Sequence, residues 1–387
     1  MYSETSKLLQ TVEEISRTII AKNAVNTDKY AQWPEEGIRA LLAAGLGGLT
    51  VPLEYGGLGH GTETLAKVCE IIGQYCPSTS ICYGMHCVGS AVIASKVTSY
   101  QQENYLTPIC EGKHITSLSL SETGSGSHFY LPQTKMISAN SGGYMINGDK
   151  SFATNGGHAD SYVVSVVTEE SNMPSGRFNC IMIRGDSPGV EWGPEWSGLG
   201  MRGNSSRYLS LHNVAISAED ILGNVGDHIW YIFNVITPYF LTAITGAYLG
   251  LARAALEEIK DHVTHREYSF SGNTLATSSV IQHQIGILWA KYARTRALIY
   301  YSSQSYDKGL DNAQLDLFSS KAEVADTVMD IVNDGMTLCG GSVYRDDSNL
   351  NRMLRDARAA HIMSPTTDML RIWTGRSLLD QPLLTET

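Results

Sequence analysis

From Ser6 to about Gly45 the apolar residues Leu8, Leu9, Val12, Ile15 and Ile19 recur at three- and four-residue steps, which predicts helix. Val51–Gly59 interrupts that pattern with one proline and three glycines, the composition of a loop. Helical spacing resumes over Thr62–Ile72, Ser90–Val97 and Gln101–Cys110. Near Thr116 the period falls from 3.6 to 2. Tyr162–Thr168, Asn179–Arg184 and Tyr208–Ile216 are short and rich in Val, Ile and Tyr, and turns such as Ser171–Gly176 and Gly185–Gly189 part them. After Gly226 strand signals stop. Four long apolar segments follow, roughly 227–265, 278–306, 312–339 and 350–379, the second marked by Ile281, Ile285, Leu288, Trp289 and Tyr292. The expected architecture is mostly α, with an N-terminal helical domain over 1–115, a central antiparallel β-domain (barrel or sandwich) over 116–225, and a C-terminal four-helix bundle over 226–387.

Composition narrows the function class. Of 387 residues, 43% are hydrophobic and 17% charged, which suits a large core and leaves room for subunit contacts. The net charge of −11 and the lack of a long basic run give no support to nucleic-acid binding. The seven cysteines form no C-x-x-C pair, and the 11 histidines show no metal-ligand spacing, so no metal is expected. The greasiest segment, Ile232–Leu251, is broken by Asn, Thr, Pro and Gly, and the first 14 residues carry acids and no apolar stretch. A soluble, cytoplasmic protein without membrane contact is the expectation.

Three stretches carry candidate chemistry. In Ser117–Phe129, read S-L-S-L-S-E-T-G-S-G-S-H-F, a strand runs into a Gly/Ser loop whose N–H groups and hydroxyls can converge on an acceptor-rich ligand. Ile146–Gly157 reads I-N-G-D-K-S-F-A-T-N-G-G, and Asn147-Gly148 within it is a hairpin signal. The third is Leu199–Ser206, L-G-M-R-G-N-S-S. In this order and spacing they resemble the acyl-CoA dehydrogenase family of flavoenzymes, whose patterns run approximately T-E-P-G-A-G-S-D, N-G-x-K-x-W-I-T-N and L-G-x-R-G-S. Val51–Gly59 resembles the family's V-P-x-E-Y-G-G-x-G loop, and Leu338–Gly341 and Arg355–Arg358 resemble its L-x-G-G and R-D-A-R segments.

The resemblance implies an FAD-dependent oxidoreductase that takes an acyl thioester carried on CoA or an acyl carrier protein. It implies a homotetramer or homodimer, with a flavoprotein or oxygen as electron acceptor. By position, Leu118, Leu120, Ser121, Gly126 and Ser127 would line the flavin and acyl chain. Phe152, where the family usually has Trp, would shield the flavin ring, and Thr154 would hydrogen-bond it. Arg266, Gln282, Gly340 and Gly341 fall where a partner subunit meets the adenosine half, and Thr366 where a diphosphate contact belongs.

Several positions depart from the family. A dehydrogenase of this kind needs a carboxylate to take the α-proton while hydride leaves the β-carbon. Aligned through Arg355–Arg358, the usual Glu position is Ser364, followed by Pro365 in place of Gly. A serine hydroxyl is far too weak a base to act unaided. The minority location, on the first helix after the β-domain, is Phe240, and the places of an acidic residue and an Arg that meet the thioester arm are Pro238 and Leu241. Asp368, His361 and His128 are substitute bases only by nearness to motifs. His86 is either polar glue in the core or a proton donor, and Glu122 matches a structural position. Three functions remain: thioester dehydrogenation with a displaced base, a flavin monooxygenase of the same fold that needs no base, and flavin binding without redox activity.

Overall fold

A computed structural model describes residues 2–139, 142–168 and 177–384; the turn expected over Ser171–Gly176 lies outside them. The first helical stretch is divided. Helix α1 (Tyr2–Ile15) passes through a π-turn at Ser16–Ile20 into α2 (Ala21–Lys29), and the chain restarts at α3 (Glu35–Leu41). Pro34 accounts for the break, because a proline disfavours helical backbone at the residue before it. Helix α4 (Thr62–Tyr75) precedes α5 (Pro77–Ser95), buried at every residue from Pro77 to Ala94. A helix surrounded on all sides has no polar face, so periodicity marked only its end, from Ser90. Thr98 and Gln101 close a capping box on α6 (Ser99–Gln101), and α7 (Thr107–Cys110) ends the first helical region.

Eight strands follow: β1 (Thr116–Ser119), β2 (Lys135–Ser138), β3 (Tyr144–Ala153), β4 (Ser161–Thr168), β5 (Phe178–Arg184), β6 (Val190–Trp192), β7 (Arg207–Ile216) and β8 (Ile221–Leu222). They form one sheet, in the order β6-β7-β3-β2-β4-β5-β8. The sheet is mixed rather than wholly antiparallel. β5 covers one edge of β4, while β1 and β2 share the other, both running parallel to β4. This frees the long β1–β2 connection to leave the sheet, and that connection is the Gly/Ser loop. Asn147-Gly148 is no hairpin turn either. It sits inside β3 at a register shift, where Asn147 Oδ1 accepts from the Asn213 amide at 2.8 Å. A Cβ on Gly148 would lie 2.8 Å from Thr134 Cα, and its φ is +148°. The pair is a β-bulge, a close-approach use of glycine that a local signal cannot separate from a turn.

Helix α8 (His228–Tyr231) runs through a π segment into α9 (Thr237–His265), and the most apolar window of this continuous 38-residue run, His228–His265, is 89% buried inside the protein. Around it pack α10 (Ser279–Asp307) and α11 (Ala313–Cys339). The fourth expected segment is two helices, α12 (Asn349–Ile362) and α13 (Thr367–Leu378), parted at a turn where Pro365 has no N–H to give. Helix α9 meets α4 almost backbone to backbone: a Cβ at Gly250 would fall 2.2 Å from the Glu70 carbonyl and one at Gly246 2.6 Å from that of Ala66. Substituting Gly250→Ala adds helix propensity but forces these backbones apart, with an expected cost of about 1–3 kcal/mol. A chemical denaturation midpoint unchanged or raised by G250A would show that the helices slide freely at this contact.

Candidate active site

A cavity of about 880 Å³ lies between the sheet and the helices. Six segments wall it, and four of them come from the motifs. The strand-to-loop passage after β1 supplies Leu118, Leu120, Ser121, Gly126, Ser127 and Phe129; the end of β3 supplies Phe152 and Thr154. The β6–β7 connection brings Trp196, Leu199 and Asn204, and the α12–α13 turn brings Ile362 to Thr366. Helix α5 adds Ile81 and Met85, while Ile236, Thr237, Phe240 and Ile244 close the side formed by the π segment and α9.

Local chemistry holds the Gly/Ser loop in place. Glu122 accepts from the Gln133 amide at 2.7 Å, the Thr134 amide at 3.1 Å, the Thr134 hydroxyl at 2.8 Å and Lys150 Nζ at 2.5 Å. Lys150, fully buried on β3, also donates to Ser165 O at 2.6 Å and Ser165 Oγ at 2.9 Å on β4. Burial pushes the Glu122 carboxyl upward, but the ammonium and the donors outweigh it and hold it below its ordinary value. Burial also pulls Lys150 down, against the attraction of Glu122. Glu122 thus faces the cavity yet has its oxygens committed, in keeping with a structural role.

The second motif owes its shape to another irregularity. Between Lys150 and Ala153 the β3–β7 register shifts again, and Phe152 takes φ +58° with its residue 64% exposed. A bulky residue in left-handed backbone is strained, and here the bulge turns the ring out of the ladder into the cavity, edge-on to Trp196 at 6.1 Å. The third motif meets the R-D-A-R segment directly. The Met201 amide donates to Asp356 Oδ1 at 2.6 Å, Arg355 Nη1 donates to Leu199 O at 3.1 Å, and Arg355 is paired with Asp28. Burial raises the Asp356 carboxyl to about 6.

The two positions aligned with the family's base face this cavity: Ser364 lines it from the α12–α13 turn and Phe240 from α9. Neither bears a carboxylate, and among the described lining residues the only acids are the committed Glu122 and Glu195, exposed on the β6–β7 connection. The substitute bases lie elsewhere. Asp368 has a side chain 91% exposed and stands 3.7 Å from Arg371. His361 turns toward Asp326 on α11 at 4.0 Å, and His128 packs edge-on to Tyr130 at 5.8 Å, outside the lining. His86 is core glue: Nε2 meets Gly47 O at 2.8 Å, Nδ1 accepts from the Thr116 amide at 3.2 Å, and burial pulls it down to about 4. Thr366 lines the cavity and caps α13. Arg266, Gln282, Gly340 and Gly341 are exposed and away from this chain's cavity. Pro238 and Leu241 are buried in α9 and do not line the cavity, so no charged arm contact arises there.

The sequence matches the acyl-CoA dehydrogenase N-terminal domain over residues 3–113, the middle domain over 117–214 and the C-terminal domain over 242–379. The chain belongs to the acyl-CoA dehydrogenase family. It is 29% identical to the cyclohex-1-ene-1-carbonyl-CoA dehydrogenase of Syntrophus aciditrophicus (strain SB), over 97% of this chain and 90% of that protein. It is 27% identical to an acyl-CoA dehydrogenase of Bacillus subtilis (strain 168), over 95% of this chain and 96% of that one. The fold matches butyryl-CoA dehydrogenase from Megasphaera elsdenii with a TM-score of 0.91 at 23% identity, covering 97% and 98% of the two chains. It matches the prolyl acyl carrier protein oxidase AnaB with a TM-score of 0.89 at 21% identity, covering 97% and 98%.

Motif reading missed the α5 residues, Thr237, and Pro194 to Trp196, because none lies in a recognisable pattern; only packing brings them to the site. For this family member the loop clamp yields a direct test. Lys150→Met strands the Glu122 carboxylate and should cost about 3–5 kcal/mol. Denaturation of K150M beside a K150M/E122L double variant checks this: the double variant should recover part of the loss. Equal stability of K150M and wild type would show that the pair is not holding the loop.

Proposed function

We propose that this chain is an FAD-dependent oxidoreductase that dehydrogenates an acyl thioester between its α and β carbons. The observation that carries the reading is the convergence of the three flavin-family motifs and both base positions on one cavity. The walls suit a flavin: the bare ring of Phe152 offers an apolar face, and Ser121, Ser127 and Thr154 set hydroxyls beside Leu118 and Leu120. When bound, FAD would supply the hydride acceptor. Residues Leu118, Leu120, Ser121, Gly126, Ser127, Phe152, Thr154 and Thr366 would hold it in this chain. Arg266, Gln282, Gly340 and Gly341 would complete the site of a second copy in a homo-oligomer, which fits their exposure far from their own cavity. The apolar residues Ile81, Met85, Ile236, Phe240 and Ile244 would exclude water from the acyl group.

The carrier is the less conventional part. With Pro238 and Leu241 buried, α9 offers no charged grip there for the pantetheine arm, which CoA and an acyl carrier protein share, so the test below uses both carriers. Removal of the α-proton is correspondingly weak, because no free carboxylate stands at Ser364 or Phe240. That same vacancy favours a second reading, a monooxygenase of this fold, which needs no α-proton acceptor.

Anaerobic addition of acyl thioesters, on CoA and on a carrier protein, to the FAD-loaded protein should bleach the visible flavin band slowly. Ser364→Glu should speed that bleaching by about 100-fold. If no saturated thioester bleaches either protein, while reduced wild type oxygenates an added substrate, dehydrogenation gives way to the second reading.

A further inference from the structure

The cavity wall around Ser364 rests on a side chain that no motif contains. Lys321, on α11, has a residue exposure of 0% and donates from Nζ to Met363 O at 3.2 Å and Pro365 O at 3.0 Å. These carbonyls flank Ser364 on both sides. Met363 is the C-cap of α12, where a helix leaves its last carbonyls without intrahelical partners and favours positive charge. Among the described residues no carboxylate pairs with the ammonium; the nearby acids, Asp326 and Asp368, stand against His361 and Arg371 instead. A methionine would fill the same space without desolvating a charge, so what distinguishes lysine here is its donors. From the far side Tyr248 of α9 donates to Met363 Sδ at 3.4 Å.

We propose that Lys321 is a positioning residue whose ammonium clamps the carbonyls of the residues on both sides of Ser364 and so fixes the cavity wall that meets the thioester's reacting carbons. The last clause rests on the thioester reading above; the clamp itself does not. Burial draws the ammonium down to about 7, with Arg371 acting in the same direction and Asp368 opposing. Loss of the proton leaves two N–H donors but removes charge assistance, so the clamp loosens as pH rises through that value. The charged groups acting on it are Arg371 and Asp368 from α13 and His361 from α12; Arg358 and Asp326 act in turn on His361, and Tyr248 of α9 bonds Met363.

Hydrogen exchange read by mass spectrometry on the FAD-loaded full chain tests this without any turnover. In Lys321→Met the amides of Met363, Met369 and Leu370, which donate to Ala359 O, Thr366 Oγ1 and Thr366 O on either side of the clamp, should exchange about tenfold faster, with the sheet and α10 unchanged. Lys321→Gln, which keeps a donor, should fall between. In wild type, exchange in this turn, corrected for the intrinsic chemical rate, should rise above pH 7. The rise should vanish in K321M and persist in a His361→Gln control. Wild-type exchange at Met363, Met369 and Leu370 in a folded K321M, or a pH rise that survives in it, overturns the proposal. If K321M does not fold, K321Q and the wild-type pH series decide on the same criteria: absence of both the intermediate exchange and the rise overturns it. Failure of the thioester reading would appear separately, as wild-type protein that no thioester bleaches.

Discussion

A buried ammonium against a buried carboxylate is the interaction on which the site's architecture turns. Lys150 and Glu122 link β3, β4, the start of the Gly/Ser loop and the residues leading into β2, with Lys150 at 0% exposure. Taking both charges out of water is costly and is offset only because their hydrogen-bonding capacity is so fully used. The consequence is geometric. The loop that leaves the sheet after β1 returns to a fixed place, so Ser121, Gly126 and Ser127 reach the cavity. The Ser151 amide donating to Ser121 O at 2.8 Å carries that order into the turn presenting Phe152.

The helices supply the opposite wall by a different means. Helix α9 lies so close to α4 that glycines are required at the contact, and this rigid pair sets where Phe240 and Ile244 stand. Across from them the α12–α13 turn places Ser364. A position on a helix and one in a turn thus look into one space, which is why their shared lack of a carboxylate bears on mechanism. Under the proposed function a thioester would lie between these two positions, and neither of them supplies a carboxylate.

Much of this was readable from the chain. The change of period near Thr116, the long helices after Gly226 and the family motifs foretold the helix–sheet–helix order and eight cavity residues. What local patterns could not supply was tertiary. Asn147-Gly148 satisfies a hairpin signal, but Thr134 packs against the glycine and makes it a bulge. Helix α5 has no polar stripe because it is enclosed. His361 falls three residues before Ser364, yet the helix turns it toward Asp326 and away from the cavity. Lys321 lies in a segment read only as apolar helix, and nothing in its neighbours signals that its Nζ reaches the turn 42 residues onward.

The most direct measurement of the central claim is a crystal structure of the FAD-loaded protein with an unreactive thioether analogue of an acyl thioester. The account predicts the flavin ring against Phe152, the analogue's α-carbon beside Ser364, and no carboxylate within hydrogen-bond reach of it. An α-carbon facing Glu195, Asp368 or any other acid, or a flavin bound away from Phe152, would contradict it.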